Sequence, residues 1–111
     1  MMTPIEFAQK YNLTVVTPGD GSREIKGAYC GDLLSWVMGR AKEDDAFVTV
    51  MANINTIAVA VLADVACVIL CEGAHFDEMS IARAQQQEVC VLETDAPSFT
   101  VALWLGRELG L

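Results

Sequence analysis

The sequence predicts an α/β fold: a compact layered structure with a mainly parallel sheet flanked by helices. Three observations carry this. Three strand-sized apolar runs occur, Ala46–Met51, Cys67–Cys71 and Val89–Leu92. Two segments with helical apolar spacing, Asn55–Asp64 and Asp77–Gln87, separate them. Strand-sized runs alternating with helices of this length read as successive βαβ units, hence parallel strands covered by helices. Each run also ends in small or polar residues, including Asn53, Asn55 and Thr56 after the first, Glu72 and Gly73 after the second, and Thr94 and Asp95 after the third. In open parallel sheets the carboxyl ends of the strands are where ligands bind. The loops at those ends are therefore the place to look for function.

In chain order, Thr3-Pro4 reads as an N-cap followed by proline in the first helical turn. Ile5 with Ala8, and Phe7 with Tyr11, give this short helix its apolar face, and Asn12 stops it. Leu13–Thr17 is a β-branched run and predicts a strand. Pro18–Gly21 predicts a turn, since each residue is a turn former. Between Arg23 and Asp32, the alternation of Ile25, Gly27 and Tyr29 predicts a strand with one apolar face. Its glycines at 27 and 31 mark a bulge or a close backbone approach. Asp32 is placed to cap a helix through Leu33, Leu34, Trp36 and Val37, with Gly39 ending it. Arg40–Asp45 reads as a charged surface loop. Asn55–Asp64 is apolar nearly all round, the pattern of a helix buried on more than one side. In so small a domain the second covering surface is expected from another copy, which predicts a homodimer. Asp77 caps an amphipathic helix, and a last helix opens after Asp95-Ala-Pro97 and closes at Gly110.

With 111 residues, one domain spanning 1–111 is expected. Such a chain buries roughly 65% of its unfolded surface, enough for a core without staples. Apolar residues make up 53% of it, which excludes disorder. The longest apolar run, Ile57–Ala63, is too short to span a bilayer. The start Met1-Met-Thr-Pro lacks the basic and apolar regions of a secretory signal. A cytoplasmic protein is expected. Fifteen acidic against seven basic residues give a net charge of −8, which repels a phosphate backbone and an anionic membrane alike. Neither nucleic acid nor membrane is an expected partner.

No catalytic constellation stands out. Gly19–Gly27 lacks the Gly-Lys-Ser/Thr ending of a phosphate-binding P-loop, and no G-x-G-x-x-G is present. The single histidine, His75, has no serine or cysteine beside it in a nucleophile motif and reads as a loop residue. Cys30, Cys67, Cys71 and Cys90 lack zinc-ligand spacing. Cys67 and Cys71 share a strand face with Ile69, the pattern of small buried hydrophobes. No metal and no cofactor are expected. Asn53 and Asn55 stand at the start of a buried helix, where backbone amides attract anions or take a side-chain cap. Arg23, the cation of the glycine-rich passage, either pairs with Asp20 or Glu24 or reaches an anionic ligand.

Several motifs, taken in order, resemble a known family. Ser22-Arg23, Gly27, Gly31–Ser35 and Val37–Gly39 are similar to the pattern for which the DRTGG domain is named. The similarity continues through Asn55–Ala60, Cys67–Gly73 and Val89–Thr94. The family is similar to the N-terminal domain of HPr kinase/phosphorylase. The resemblance implies a compact α/β layer structure with a regulatory or ligand-sensing role. It also implies an association with iron-only hydrogenase systems in anaerobic bacteria. Ser22 replaces the aspartate of the family pattern, Ala28 replaces its second glycine, and Asn53 stands where a histidine is frequent. The expected function is a non-catalytic sensor of a small anionic metabolite or nucleotide, with Arg23, Gly31, Asp32, Asn53, Asn55, Glu72, Gly73 and Thr94 as ligand contacts. The alternatives are an accessory subunit of a redox enzyme, and a small enzyme using Asp32, Glu72 or His75.

Overall fold

The computed structural model describes residues 1–111 as five helices and five strands. In chain order these are α1 (Pro4–Tyr11), β1 (Thr14–Thr17), β2 (Gly27–Cys30), α2 (Leu34–Arg40) and β3 (Asp45–Thr49). Then follow α3 (Ile54–Ala63), β4 (Cys67–Leu70), α4 (Glu78–Gln86), β5 (Val91–Glu93) and α5 (Ser98–Glu108). The strands form one sheet in the order β1-β5-β4-β3-β2. β2 to β5 run parallel, and β1 lies antiparallel against β5. The predicted α/β class and the three consecutive βα units are present.

Each face of the sheet has its own core, and strand alternation decides which side chain serves which. Val48, Ile69 and Leu92 meet α1 and α5 through Phe7, Val101 and Leu105. Phe47, Val68, Leu70 and Val91 meet α2, α3 and α4 through Val37, Ile57 and Ala84. Burial on both faces is why the central strands are uninterrupted apolar runs. Cys67, Cys71 and Cys90 lie with Ile69 in the α1/α5 core, as the spacing predicts, whereas Cys30 on β2 is exposed. α1 is closed by the capping box of Thr3 and Glu6 and stopped by Asn12 at φ 61°.

Several local expectations are corrected. Ile25 does not share a face with Tyr29: the strand begins at Gly27, Ile25 enters the α1/α5 core, and Tyr29 packs on the opposite one. Asp32 does not cap α2, which starts after Leu33 without a side-chain cap. Gly39 lies inside that helix, which runs to Arg40 and ends as Ala41 turns extended. Asp45 is no loop residue; it opens β3, is buried, and accepts the Lys42 N–H at 2.8 Å. β3 ends at Thr49 rather than Met51, and β5 begins at Val91 rather than Val89. α3 is the middle helix of its layer, which accounts for its apolar flanks, yet Leu62 remains 70% exposed.

Candidate functional site

The exits of β5, β4, β3 and β2 stand side by side at one end of the sheet. They bring Thr94, Glu72 with Gly73, Asn53 with Asn55, and Gly31 with Asp32 to that end. The loops are tied to one another. The Gly73 N–H donates to Thr94 O at 3.1 Å, and the Glu72 N–H donates to Ala96 O at 3.0 Å. Across the β2/β3 boundary, Asp32 accepts from the Thr49 hydroxyl and from the Val50 N–H, both at 2.9 Å. Thr49 in turn accepts the Met51 N–H, and the Thr56 hydroxyl donates to Met51 O at 2.7 Å. The end of the sheet is thus a hydrogen-bonded rim built from four loops.

Three of the predicted contact residues have backbone duties in this rim. Asn53 caps α3 through its side-chain oxygen, 2.8 Å from the Asn55 N–H. Glu72 caps α5 from 26 residues away: its carboxylate accepts the Ser98 N–H at 3.0 Å, and α5 has no cap from its own N-cap residue, Pro97. Asp32 holds the β3 exit, as above. Glu72 and Gly73 both adopt left-handed backbone, φ 63° and 77°. Such a conformation is strained for a glutamate and is often found at functional sites. A Cβ on Gly73 would lie 3.3 Å from the Asp95 carboxylate, so glycine also serves close approach there.

Arg23 is not part of this rim. Its guanidinium lies at the amino end of the parallel strands, where Nε donates to the Asp44 carboxylate at 2.9 Å and Nη1 to Asp64 at 3.0 Å. Its partners are therefore Asp44 and Asp64, not Asp20 or Glu24. They stand 21 and 41 positions away in the chain, beyond the reach of any local pattern. Asp44 and Asp64 both have positive φ, 69° and 55°. The arginine clamps two tight turns together and draws the Asp44 carboxyl below its ordinary range by hydrogen bonding.

Of the eight predicted contacts, only Thr94 lines a cavity at the carboxyl end. That cavity, about 500 Å³ and polar throughout, is walled by Asn12, Thr14, His75, Glu93, Thr94 and Asp95. Within it, His75 Nδ1 and Glu93 Oε1 are 2.6 Å apart, while Glu93 Oε2 accepts the Phe76 N–H at 3.2 Å. The hydrogen bond to the carboxylate raises the His75 pKa above its ordinary value. Sequence reasoning missed Glu93 and the pairing. The only available signal was a polar residue closing an apolar strand, a weak one, because the loop that delivers His75 to it follows β4 rather than β5. No group of three or more His, Cys, Asp or Glu side chains is arranged to hold a metal. Burial pushes the thiols of Cys71 and Cys90 up to about 12, far from the pKa of a reactive cysteine. No helix is long and apolar enough to cross a membrane.

Comparison with known proteins gives two findings. Residues 19–107 match the model of the DRTGG domain. The fold is similar to a crystal structure of the CBS and DRTGG domains of the regulatory region of Clostridium perfringens pyrophosphatase, complexed with its activator, diadenosine tetraphosphate. The TM-score is 0.71 at 14% identity, over 89% of this chain and 44% of that one. The chain thus spans less than half the length of that structure. No curated protein matches the sequence.

Proposed function

The chain belongs to the DRTGG domain family, and on that premise we propose that it is a non-catalytic regulatory domain sensing a small anionic metabolite or nucleotide at the carboxyl ends of its parallel strands. The observation that carries this reading is the shared rim of four strand exits, in which Gly31, Asp32, Asn53, Asn55, Glu72, Gly73 and Thr94 fall at one end of the sheet. That is the position at which open α/β sheets take ligands. The structural neighbour, whose regulatory region is complexed with a dinucleotide activator, supports a nucleotide as the class to test first. Arg23 serves the opposite end of the sheet in this reading. The domain acts in the cytoplasm, where four free thiols persist.

The test is a thermal-shift panel of mono- and dinucleotides, acyl phosphates and diadenosine tetraphosphate. A ligand present at 100 times its Kd stabilises the native state by about 2.7 kcal/mol. Melting curves unmoved by every member of the panel would refute the sensing of small anions. A second reading, an accessory subunit of a redox enzyme, is favoured by an apolar groove on α3 bordered by Ile57, Ala58, Val61 and Leu62, the last 70% exposed. A homodimer that covers these side chains in light scattering and surface-labelling measurements would count against it.

A further inference from the structure

The sheet ends in two edge strands that differ in how they are protected. β1 carries an irregularity in its pairing with β5 between Val15 and Thr17, and a bulge of this kind blunts an edge against further pairing. β2 has none: its four residues, Gly-Ala-Tyr-Cys, pair with β3 in unbroken register and include neither charge nor proline. An open groove at its amino end is bordered by Lys26, Ala28, Tyr29, Lys42, Asp45 and the C-terminal Leu111. The Gly31 N–H donates to Val48 O, so strand alternation turns the amides of Tyr29 and Gly31 toward β3 and those of Ala28 and Cys30 toward the open edge. In a protein of net charge −8, such an uncharged and regular edge stands out.

We infer that β2 pairs antiparallel with β2 of a second copy of this chain, and that the pairing completes the anion site. The inference rests on the sensing role proposed above and adds the source of its positive charge. The register follows from the backbone: with Tyr29 facing the partner's Tyr29, the outward amides of Ala28 and Cys30 both find partners within β2 itself. That register sets Lys26 opposite Asp32 of the partner subunit, and the partner's Lys26 opposite Asp32. The match is reciprocal, as a twofold interface requires. The Lys26 side chain is 64% exposed and its ammonium lies 3.5 Å from the Asp44 carboxylate, a solvent-screened contact of small worth that it gives up to reach such a neighbour.

The consequence for the rim is chemical. None of its predicted contact residues other than Arg23 is a cation, and Arg23 lies at the other end of the sheet. Lys26 precedes β2 and likewise belongs to the amino end of its own sheet. Antiparallel pairing reverses this, delivering the partner's Lys26 beside Gly31 and Asp32 at the carboxyl end. An anionic ligand there meets a lysine that a single chain does not supply.

Light scattering on the ligand-free protein tests the pairing. The expected mass is twice the 12.0 kDa of the chain. Ala28→Pro removes an outward N–H that β3 does not use, so it is expected to halve the mass while leaving the melting profile cooperative. Cys30→Lys, which places a charge on the same edge, is expected to do likewise should the proline variant fail to fold. A monomeric wild type, or a dimer that survives both substitutions, overturns the interface. The second arm is calorimetry with inorganic tripolyphosphate, where Lys26→Ala is expected to weaken binding about tenfold, or about 1.4 kcal/mol. Unchanged binding overturns the shared cation. Absence of tripolyphosphate binding in the wild-type dimer overturns the shared cation, while the interface stands on the mass measurements and the sensing reading on the nucleotide panel.

Discussion

Replacing Glu72 separates two opposing effects in one residue. Its carboxylate is the side-chain cap of α5, and its backbone sits at φ 63°. Loss of a side-chain cap costs about 1 kcal/mol, whereas the left-handed conformation costs a non-glycine residue roughly 1–2 kcal/mol. Glu72→Ala removes the cap and keeps the strain, so it is expected to destabilise by about 1 kcal/mol, a melting-temperature drop of about 4–8 °C for a domain near this size. Glu72→Gly removes both. The two effects then offset, and the variant is expected to melt within about 3 °C of the wild type, from cancellation of the magnitudes above. The expected order is thus glycine above alanine, although glycine has the greater unfolded-state entropy. Thermal denaturation followed by far-UV circular dichroism reads it directly. An alanine variant as stable as the wild type would show that the cap contributes nothing. A glycine variant less stable than the alanine one would show that the turn is not strained.

Three further outcomes follow from the geometry. The His75 imidazole is expected to titrate above 6.5, because the Glu93 carboxylate favours its charged form. The stabilisation from this raised pKa is fully present below the unfolded value of 6.5 and fades as the pH rises through the folded one. Proton NMR of the wild type and of Glu93→Gln checks this: an unchanged midpoint in the variant would deny the pairing. Gly19→Ala places a Cβ 2.5 Å from backbone atoms of Glu88, Val89 and Cys90 at a φ of 45°, so a loss of about 3 kcal/mol or more is expected in urea denaturation. A wild-type midpoint would mean that the turn relaxes freely. Thiol labelling of the native protein is expected to modify Cys30 alone, with Cys67, Cys71 and Cys90 reacting only after unfolding. Mass spectrometry showing rapid labelling of Cys71 or Cys90 would contradict the packing.

What depends on neighbours within a few residues was legible from the chain alone. The apolar runs gave the central strands, the 3.6-residue spacing gave the helices between them, and Thr3, Asn53 and Asp77 marked helix starts that their side chains cap. Where local rules compete, boundaries shifted: Asp32 has the chemistry of a helix cap but lies within reach of Thr49, and the tertiary contact prevails. Which residues meet across the sheet was set by the packed fold. Arg23 with Asp44 and Asp64, His75 with Glu93, and Glu72 with the start of α5 are joined by strand order, and strand order leaves no periodicity in the chain. Periodicity states which face a side chain takes, because that is a property of one strand. Which strand lies beside it is a property of the whole packed sheet, and so the rim's residues were legible one by one while their hydrogen-bond partners were not.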